Sequence, residues 1–258
     1  MKIECNDRRT GRPFGWDYDP YFVPSAARTG PLPTGNRIAR VIGKDSDYYF
    51  RLGGYSNYQA MVRAVADATG TNPADYRRVL NWGCGCGRVS RYFLDQPGCR
   101  LTGVDVDADN VGWCRTNLPG GTWDILPLRP PTTLPGGSFD LAIGVSVFTH
   151  LREPDQFAWL AELRRVIRPG GLALMTFHGQ ASIVWSHLSA ERYTALTRRG
   201  ICDQPNRIYD AELGEDDYYR DVYHTEQYVR RNWGKYFEVL AIYPCSVSHQ
   251  DLVVMRRR

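Results

Sequence analysis

The chain has 258 residues, a formal net charge of +4, 43% hydrophobic residues and 23% charged residues. This length suits one α/β domain with an appendage, and the composition is that of an ordinary folded protein, which excludes disorder and fibrous repeats. No apolar run reaches the roughly 18 residues of a membrane helix, and the start lacks the apolar core of a signal peptide, so we expect a cytoplasmic protein with no membrane partner.

The seven cysteines argue against a disulfide-rich secreted domain, and the mild positive charge argues against a nucleic-acid-binding protein. An odd number of cysteines spread along the chain is not the framework of a small secreted domain, so we expect reduced thiols. Cys84 and Cys86 are one residue apart, closer than the ligand pairs of zinc hairpins, and no second pair stands nearby, so no metal is expected. The most concentrated charge is the terminal MRRR, which is typical of a solvated tail, and no nucleic-acid partner is expected.

Residues 1–60 form the first predicted unit, an N-terminal cap or lid before a domain at 61–258. This segment carries many aromatic residues among prolines and glycines, including Trp16, Tyr18, Tyr21, Phe22, Tyr48, Tyr49, Phe50, Tyr55 and Tyr58. Two interpretations stay open, because aromatic side chains bury much area wherever they lie. They either pack a helical cap onto the core or, with an insertion at 180–225, form a lid and acceptor wall that excludes water from the site.

Strands and helices alternate from residue 77 onward. Apolar runs predict strands at 77–82, 99–107, 121–126, 138–148 and 172–179, and helical patterns lie at 88–95, 108–118 and 153–171. The last helix carries an apolar stripe, and Pro169-Gly170-Gly171 is predicted to end it. The proline-rich segment 127–137 is predicted to be a loop. This alternation indicates crossover connections and hence a parallel sheet with helices on both faces.

The C-terminal part departs from this order. Strand-like runs at 236–244 and 249–257 are separated only by CSVS, which is too short for a helical crossover and predicts an antiparallel hairpin. The predicted fold is therefore a Rossmann-like, doubly wound sheet of seven mostly parallel strands with an antiparallel C-terminal hairpin strand.

The stretch VLNWGCGCGRVSRYF at 79–93 places glycines at positions 83, 85 and 87, directly after a strand. A strand, a glycine turn and a helix N-terminus together present backbone N–H groups to a polar ligand. Asp105 ends the next strand 18 residues after Gly87, a distance at which an acid binds the hydroxyls of an adenosine ribose. The dinucleotide fingerprint would require glycine where Arg88 stands, which disfavours an NAD-dependent oxidoreductase.

Residues 79–175 resemble the core of class I S-adenosylmethionine-dependent methyltransferases, in particular bacterial small-molecule enzymes. VLNWGCGCGRVSRY is similar to their glycine-rich first motif and LTGVDVD to their ribose-binding second strand. LPGGSFDLAIGVSVFTHL is similar to their fourth strand, and ELRRVIRPGGLALMTF to the helix, turn and fifth strand. The resemblance implies an enzyme that binds S-adenosylmethionine and releases S-adenosylhomocysteine after an in-line methyl transfer.

The same resemblance implies roles for individual residues. Cofactor contacts are expected from Asn81, Gly83, Cys84, Gly85, Gly87, Asp105, Val106, Leu126 and Ser146. Gly83, Cys84 and Gly85 would lie against the methionine part, with Gly87 allowing close packing. Asp105 would bind the ribose, Val106 and Leu126 would flank the adenine, and Ser146 would lie near the sulfonium.

Two of these positions depart from the family pattern. Asn81 stands where the family has an acid, which implies a neutral link to the cofactor's amino group. Leu126 replaces a polar residue, so the backbone of 126–128 is expected to hold the adenine.

Three histidines are candidates for a catalytic base, because imidazole titrates near neutral pH. His150 follows the fourth strand, His178 ends the fifth and His224 precedes the last helix. His150 alternatively has a structural role at the start of a helix. The expected partner is a small-molecule acceptor methylated on oxygen or nitrogen, apolar, aromatic or a sugar. A homodimer and a non-catalytic cofactor-binding sensor or partner subunit stay open as alternatives.

Overall fold

The computed structural model describes residues 4–6, 13–15, 30–209 and 214–258. The first two segments are strands β1 (Glu4–Asn6) and β2 (Pro13–Gly15), which pair antiparallel. Trp16, Tyr18, Tyr21 and Phe22 of the predicted cap lie outside the described residues.

The other strands are β3 (Arg78–Trp82), β4 (Arg100–Asp105), β5 (Gly121–Ile125), β6 (Phe139–Gly144), β7 (Ile167–Phe177), β8 (Ile201–Pro205), β9 (Arg220–His224), β10 (Glu238–Val247) and β11 (Gln250–Arg256). Seven of them form one sheet in the order β10-β11-β7-β6-β3-β4-β5. Neighbours from β7 to β5 are parallel, whereas β11 runs antiparallel to both β7 and β10. The predicted fold class is confirmed.

The α-helices are α1 (Arg37–Ile42), α2 (Asp47–Thr69), α3 (Ser90–Leu94), α4 (Ala108–Asn117), α5 (Glu153–Val166), α6 (Gln180–Trp185), α7 (Ala190–Arg199) and α8 (Glu226–Asn232). None of these described helices combines the length and apolar character needed to cross a bilayer.

Both faces of the sheet are buried, as the near-continuous apolar runs of the strands require. Successive side chains of a strand point to opposite faces, so Val79 lies in one core cluster and Leu80 in the other. The first face is covered by α2 and α4, and the second by α5 and the segment around Trp233. Helices on both faces leave the carboxyl ends of the parallel strands as the open edge for a ligand.

Two predicted boundaries are wrong. The helix predicted at 153–171 ends at Val166, because Ile167 is extended (φ −77°, ψ 138°) and pairs with Phe139. Pro169-Gly170-Gly171 therefore lies inside β7, where the register with β6 shifts. The loop predicted at CSVS is also shorter, because β10 continues to Val247 through an irregularity after Tyr243 and only two residues make the turn.

The boundary predicted at residue 60 falls inside α2, which caps one face of the sheet. Phe50 and Met61 from this helix belong to one core cluster with fully buried residues of the sheet. Tyr48 and Tyr49 are more than half exposed, so the three neighbouring aromatic residues have different environments. The division into a cap and a domain stays a prediction.

The insertion at 180–225 docks through its backbone onto the ends of the central strands. Strands β8 and β9 pair antiparallel with each other. The backbone N–H groups of Arg220 and Val222 donate to His150 O (3.1 Å) and Thr149 O (2.8 Å), and His224 N–H donates to His178 O (2.9 Å). This docking brings Tyr218 and Tyr219, which precede β9, to the open edge of the sheet.

Candidate functional site

A cavity of about 530 Å³ lies at the carboxyl ends of four adjacent strands, β6, β3, β4 and β5. Each strand contributes a predicted site residue directly after or near its end: Ser146, Gly83, Asp105 and Leu126. In an open α/β sheet this edge is where ligands bind. The structure therefore brings together the central part of the predicted cofactor site.

The glycine turn after β3 has no room for side chains at two of its positions. Gly83 has φ +71°, and a Cβ there would lie 2.3 Å from Val147 Cγ2. Gly85 has φ +50°, and its Cβ would lie 2.8 Å from Val41 Cγ2. A side chain would thus be strained and would clash at both positions. The bare backbone of the turn forms part of the cavity wall, as a closely approaching ligand requires.

Three predicted cofactor residues lie behind this turn and do not line the cavity. Asn81 is buried, and its Nδ2 donates to Ser90 Oγ at 2.7 Å. A Cβ on Gly87 would lie 2.3 Å from Leu118 Cδ1. Cys84 is also buried, and burial raises the pKa of its thiol. These contacts support the turn from within the core, and direct contact of the three residues with a cofactor stays a prediction.

Asp105 connects the ends of β3 and β4. Its Oδ2 accepts the Gly85 N–H at 2.6 Å, and its Oδ1 accepts the Asp107 N–H at 2.9 Å. Burial raises the pKa of this carboxyl, while the backbone N–H groups of Asp107 and Gly85 oppose that shift. The bonds fix the carboxylate beside the cavity and leave acceptor capacity for the paired hydroxyls of a ribose.

The opposite wall, at the end of β5, is apolar and aromatic. Val106 and Leu126, two of the predicted cofactor residues, line this wall. Leu126 N–H donates to Asp105 O at 2.8 Å. Trp159 and Tyr218, which the sequence analysis missed, also line it. Both donate to Leu128 O, Trp159 through Nε1 at 3.2 Å and Tyr218 through its hydroxyl. Such a wall suits the flat adenine ring.

His150 is the predicted base that lies at the cavity. Its Nδ1 is 2.8 Å from Arg220 O, and its ring stacks on Tyr219 at 4.1 Å between centroids. A carbonyl oxygen can only accept, so Nδ1 carries the proton and Nε2 keeps a free lone pair. Burial lowers the pKa of His150 to about 4. The imidazole is therefore neutral at pH 7.

The other two candidate bases do not line this cavity. His178 is buried between Tyr223 and His249, with Nδ1 3.1 Å from Val222 O. His224 is fully buried, with Nε2 3.0 Å from Gln156 Oε1. Burial lowers the pKa of His178 to about 4 and that of His224 to about 3. The structure thus leaves both rings out of the cavity wall, with the His178 ring centroid 6.2 Å from that of His150.

Helix α1, which lies within the predicted cap or lid, covers the cavity through two arginines that sequence analysis did not single out. Arg37 and Arg40 donate to the two carboxylate oxygens of Asp109 at 2.5 and 2.6 Å, and Arg40 Nε lies 3.0 Å from Asp107 Oδ2. The insertion meets α1 here, because the Tyr209 hydroxyl donates to Arg40 O at 2.9 Å. The sequence signal for this contact was limited to the spacing of Arg37 and Arg40, three residues apart, and to the two acids Asp107 and Asp109 at the start of α4.

Over the part of the chain that the structure describes, no group of three or more His, Cys, Asp or Glu side chains is placed to hold a metal ion. The buried cysteines instead hydrogen-bond weakly to backbone carbonyls, Cys86 to Arg37 O and Cys114 to Gly85 O.

Comparison with known proteins connects this site with a family. Residues 79–171 match the family model described as a methyltransferase domain. The ubiquinone biosynthesis O-methyltransferase of Caulobacter sp. (strain K31) is 29% identical over 122 residues, which are 45% of this chain and 47% of that protein. The trans-aconitate 2-methyltransferase of Azoarcus sp. (strain BH72) is 33% identical over 112 residues, 43% of each chain. The chain thus spans about half the length of these relatives.

Solved structures share the fold at low sequence identity. The 1,6-didemethyltoxoflavin-N1-methyltransferase of Burkholderia thailandensis, solved with 1,6-didemethyltoxoflavin and S-adenosylhomocysteine, superposes with a TM-score of 0.52 and 18% identity. That alignment covers 88% of this chain and 92% of the other.

The sheet topology, with the glycine turn and Asp105 at the ends of adjacent parallel strands, is that of a Rossmann-like domain. The match of residues 79–171 to the methyltransferase-domain model and the shared fold make this domain similar to class I S-adenosylmethionine-dependent methyltransferases, whose cofactor is S-adenosylmethionine. The residues present fit that cofactor, because the glycine turn leaves space where a Cβ would clash and Asp105 is fixed beside it.

Proposed function

We propose that the protein transfers a methyl group from S-adenosylmethionine to an oxygen or nitrogen atom of a small molecule. One observation carries the proposal: a single cavity joins the glycine turn and Asp105 to the side chain of His150. S-adenosylmethionine supplies a methyl group on a positively charged sulfur, from which a nucleophile displaces it in line. The protein's task is to hold the acceptor atom close to that methyl group and aligned with it.

The cofactor would extend along the ends of the strands. Asp105 would accept hydrogen bonds from the ribose, and Val106 and Leu126 would contact the adenine. The turn at Gly83 and Gly85 would hold the amino-acid part, on the side of the sheet toward β6. This arrangement follows from the strand order β6-β3-β4-β5 and from the residue that each strand places at the cavity.

His150 would serve as the base for an acceptor that loses a proton. Its Nδ1–H is engaged by Arg220 O, so Nε2 is the nitrogen that can take a proton from a hydroxyl or an amine. Stacking on Tyr219 restricts the ring, and the neutral form is present at pH 7. Water would be excluded by α1 and by the insertion, which meet at Arg40 and Tyr209.

The charges of the described cavity wall favour an uncharged acceptor. The charged residues that line it are Arg40, Asp105, Asp107 and Asp109. Arg40 contacts both Asp107 and Asp109, and Asp105 is assigned to the ribose. The remaining wall around His150 is formed by Val147, Tyr209 and Tyr219. A hydroxylated aromatic ring or a sugar fits this surface better than a dicarboxylate.

Binding of the cofactor can be tested before the acceptor is known. We would titrate the protein by calorimetry with S-adenosylmethionine, S-adenosylhomocysteine and NAD, using Asp105→Ala and the control Asp124→Ala. Asp124 is an exposed acid on β5 that pairs with Arg115 outside the cavity wall. We expect micromolar binding of the two sulfur ligands and a loss of at least about tenfold in Asp105→Ala alone, as for hydrogen bonds to a charged group.

Two outcomes would contradict the proposal. A preference for NAD, or no binding of either sulfur ligand, would overturn the cofactor assignment. Cofactor binding without methyl transfer to a panel of phenols, sugars and heteroaromatic amines would favour the alternative of a non-catalytic cofactor-binding protein.

A further inference from the structure

The turn after β6 places a serine at the cavity in an unfavourable backbone conformation. Ser146 has φ +59°, in the left-handed region that residues with a Cβ rarely adopt. It lines the same cavity as Gly83 and His150. A non-glycine residue in this region persists only where its surroundings hold it, and such residues cluster at functional sites.

Two side chains from the neighbouring strands hold Ser146. Its N–H donates to Thr176 Oγ1 on β7 at 2.8 Å. Gln250 Nε2 on β11 donates to Ser146 Oγ, also at 2.8 Å. Thr176 is fully buried and Gln250 is 6% exposed. The backbone of the turn and its hydroxyl are therefore each fixed by a separate buried polar group.

Gln250 is an unusual choice for its position. Asp251 is also buried, where its carboxylate accepts from the Cys245 N–H, and the following residues, Leu252 to Met255, are fully buried and apolar. A buried amide is unfavourable unless it is hydrogen-bonded, and Ser146 Oγ is the hydrogen-bond partner described for this side chain. Gln250 does not line the cavity, so any effect on a ligand there must act through Ser146.

The strand order indicates which part of the cofactor Ser146 faces; this step rests on the proposed function. Asp105 and Leu126, at the ends of β4 and β5, would hold the adenosine. Ser146 stands on the other side of the glycine turn, at the end of β6 and four residues before His150. It therefore lies toward the sulfur and the reacting methyl group, between the cofactor and the proposed base.

We propose that Gln250 is a positioning residue that orients the Ser146 hydroxyl oxygen toward the positively charged sulfur of S-adenosylmethionine. Gln250 Nε2 donates to Ser146 Oγ, and Ser146 Oγ donates to Gln250 Oε1 at 3.2 Å. Both hydrogens then lie between the two side chains, and a lone pair of the serine oxygen remains for the cation. S-adenosylhomocysteine has no positive charge on sulfur. The arrangement therefore strengthens binding of the methyl donor more than binding of its product.

A double-mutant cycle tests this without an acceptor. Calorimetry would give the affinities of Ser146→Ala, Gln250→Leu and the double variant for S-adenosylmethionine and for S-adenosylhomocysteine. We expect each single variant to lose about two- to tenfold in affinity for the methyl donor, the range of one hydrogen bond, with a smaller loss for the product. The loss of affinity in the double variant should be no larger than the larger loss of the two single variants, because both changes remove the same interaction.

Two further variants separate positioning from folding. Gln250→Glu keeps the shape of the side chain and an acceptor for the serine hydrogen but loses the amide donor, so it should retain part of the preference for the methyl donor that Gln250→Leu loses. Gln96→Leu is the matched control, since Gln96 bonds Tyr58 outside the cavity wall. It should leave both affinities unchanged. Melting temperatures would be recorded for every variant.

Additive losses in the cycle, or equal losses for both ligands, would show that Gln250 only stabilises the fold and would overturn this inference. That result leaves the proposed function standing, since the wild-type protein would still bind both ligands. If the wild-type protein binds neither ligand, the proposed function fails, and this inference fails with it.

Discussion

The three candidate histidines each carry a ring proton on the nitrogen that faces a hydrogen-bond acceptor. His150 and His178 donate through Nδ1 to the carbonyls of Arg220 and Val222, alternate residues of β9. His224 donates through Nε2 to Gln156, whose own amide nitrogen donates to Leu151 O. The insertion therefore sets the tautomers of two rings, and at His150 it leaves Nε2 to accept a proton at the cavity.

The base assignment predicts different effects for the same substitution at the three rings. His150→Gln should lower the rate of methyl transfer by about 100-fold or more, the usual contribution of a general base. The matched variants His178→Gln and His224→Gln should retain transfer rates within a fewfold of wild type, because neither ring lines the cavity. If His178→Gln or His224→Gln loses most of the transfer rate while His150→Gln stays active, His150 is not the base.

The same experiment has a defined pH dependence. Burial lowers the pKa of His150 to about 4, below the ordinary value of about 6.5. His150 in the folded protein is therefore neutral throughout pH 6 to 8. Its titration should add no pH dependence to kcat/KM in this range. As the pH falls from about 6.5 toward 4 the unfolded chain binds more protons than the folded one, so stability falls with it. A titration of kcat/KM near pH 6.5 that His150→Gln removes would contradict this value.

At the scale of elements, one carboxylate ties three strands together at the end of the sheet away from the cavity. Asp140 on β6 accepts from Arg78 N–H at 2.9 Å, from Arg78 Nη2 at 2.8 Å and from Arg168 Nε at 2.7 Å, which links β6 to β3 and β7. Burial alone would raise the pKa of Asp140, but the hydrogen bonds from Arg78 and Arg168 outweigh it and hold this pKa well below its usual range.

Asp140→Asn should therefore reduce the free energy of unfolding by about 1–3 kcal/mol, the effect of losing hydrogen bonds to a charged group. The control Asp124→Asn removes an exposed pair and should change stability little. Urea unfolding at pH 7 measures the free energy of unfolding of both variants and of the wild type. Because the folded pKa is depressed, the difference between wild type and Asp140→Asn should shrink as the pH falls below about 4. Equal stabilities of the two variants at pH 7 would contradict the role of Asp140.

The positions of the strands in the seven-stranded sheet were predictable from local pattern, whereas some of the element ends were not. Apolar runs locate all seven strands of the sheet, because buried strands need continuous apolar sequence. Pro169-Gly170-Gly171 normally ends a helix, yet α5 ends at Val166 because Ile167 already pairs with Phe139 on β6. A partner strand about 28 residues away in sequence decided this boundary, and no local signal carries that information.

At the scale of the molecule, the site combines a contiguous motif with contributions from distant segments. The glycine turn and Asp105 lie within 23 residues and were predictable, since their chemistry and spacing are local. Arg40, Tyr219 and Gln250 come from segments before and after that motif, and only the folded chain brings them to it. Tyr219 and Gln250 carry no spacing signal, and the spacing of Arg37 and Arg40 does not reveal which acids they pair with, which is why sequence analysis did not find these residues.

The cover of the cavity depends on contact between two segments that are far apart in the chain. The helix α1 and the short 3₁₀-helix Arg207–Tyr209 meet where the Tyr209 hydroxyl donates to Arg40 O, across 169 residues of sequence. Arg40 in turn contacts Asp107 and Asp109, which stand at the start of α4 close to Asp105. Closure of α1 and closure of the insertion should therefore be coupled.

Tyr209→Phe tests this coupling because it removes one hydroxyl and keeps the ring that contacts Tyr219. We expect faster amide exchange in both α1 and residues 207–209, and affinity for S-adenosylmethionine lower by about two- to tenfold. The melting temperature should change little, since the fully buried core is untouched. Tyr193→Phe, at an exposed tyrosine of α7, is the control and should alter neither exchange nor affinity. Faster exchange confined to residues 207–209, with α1 as protected as in wild type, would show that the two covers close independently.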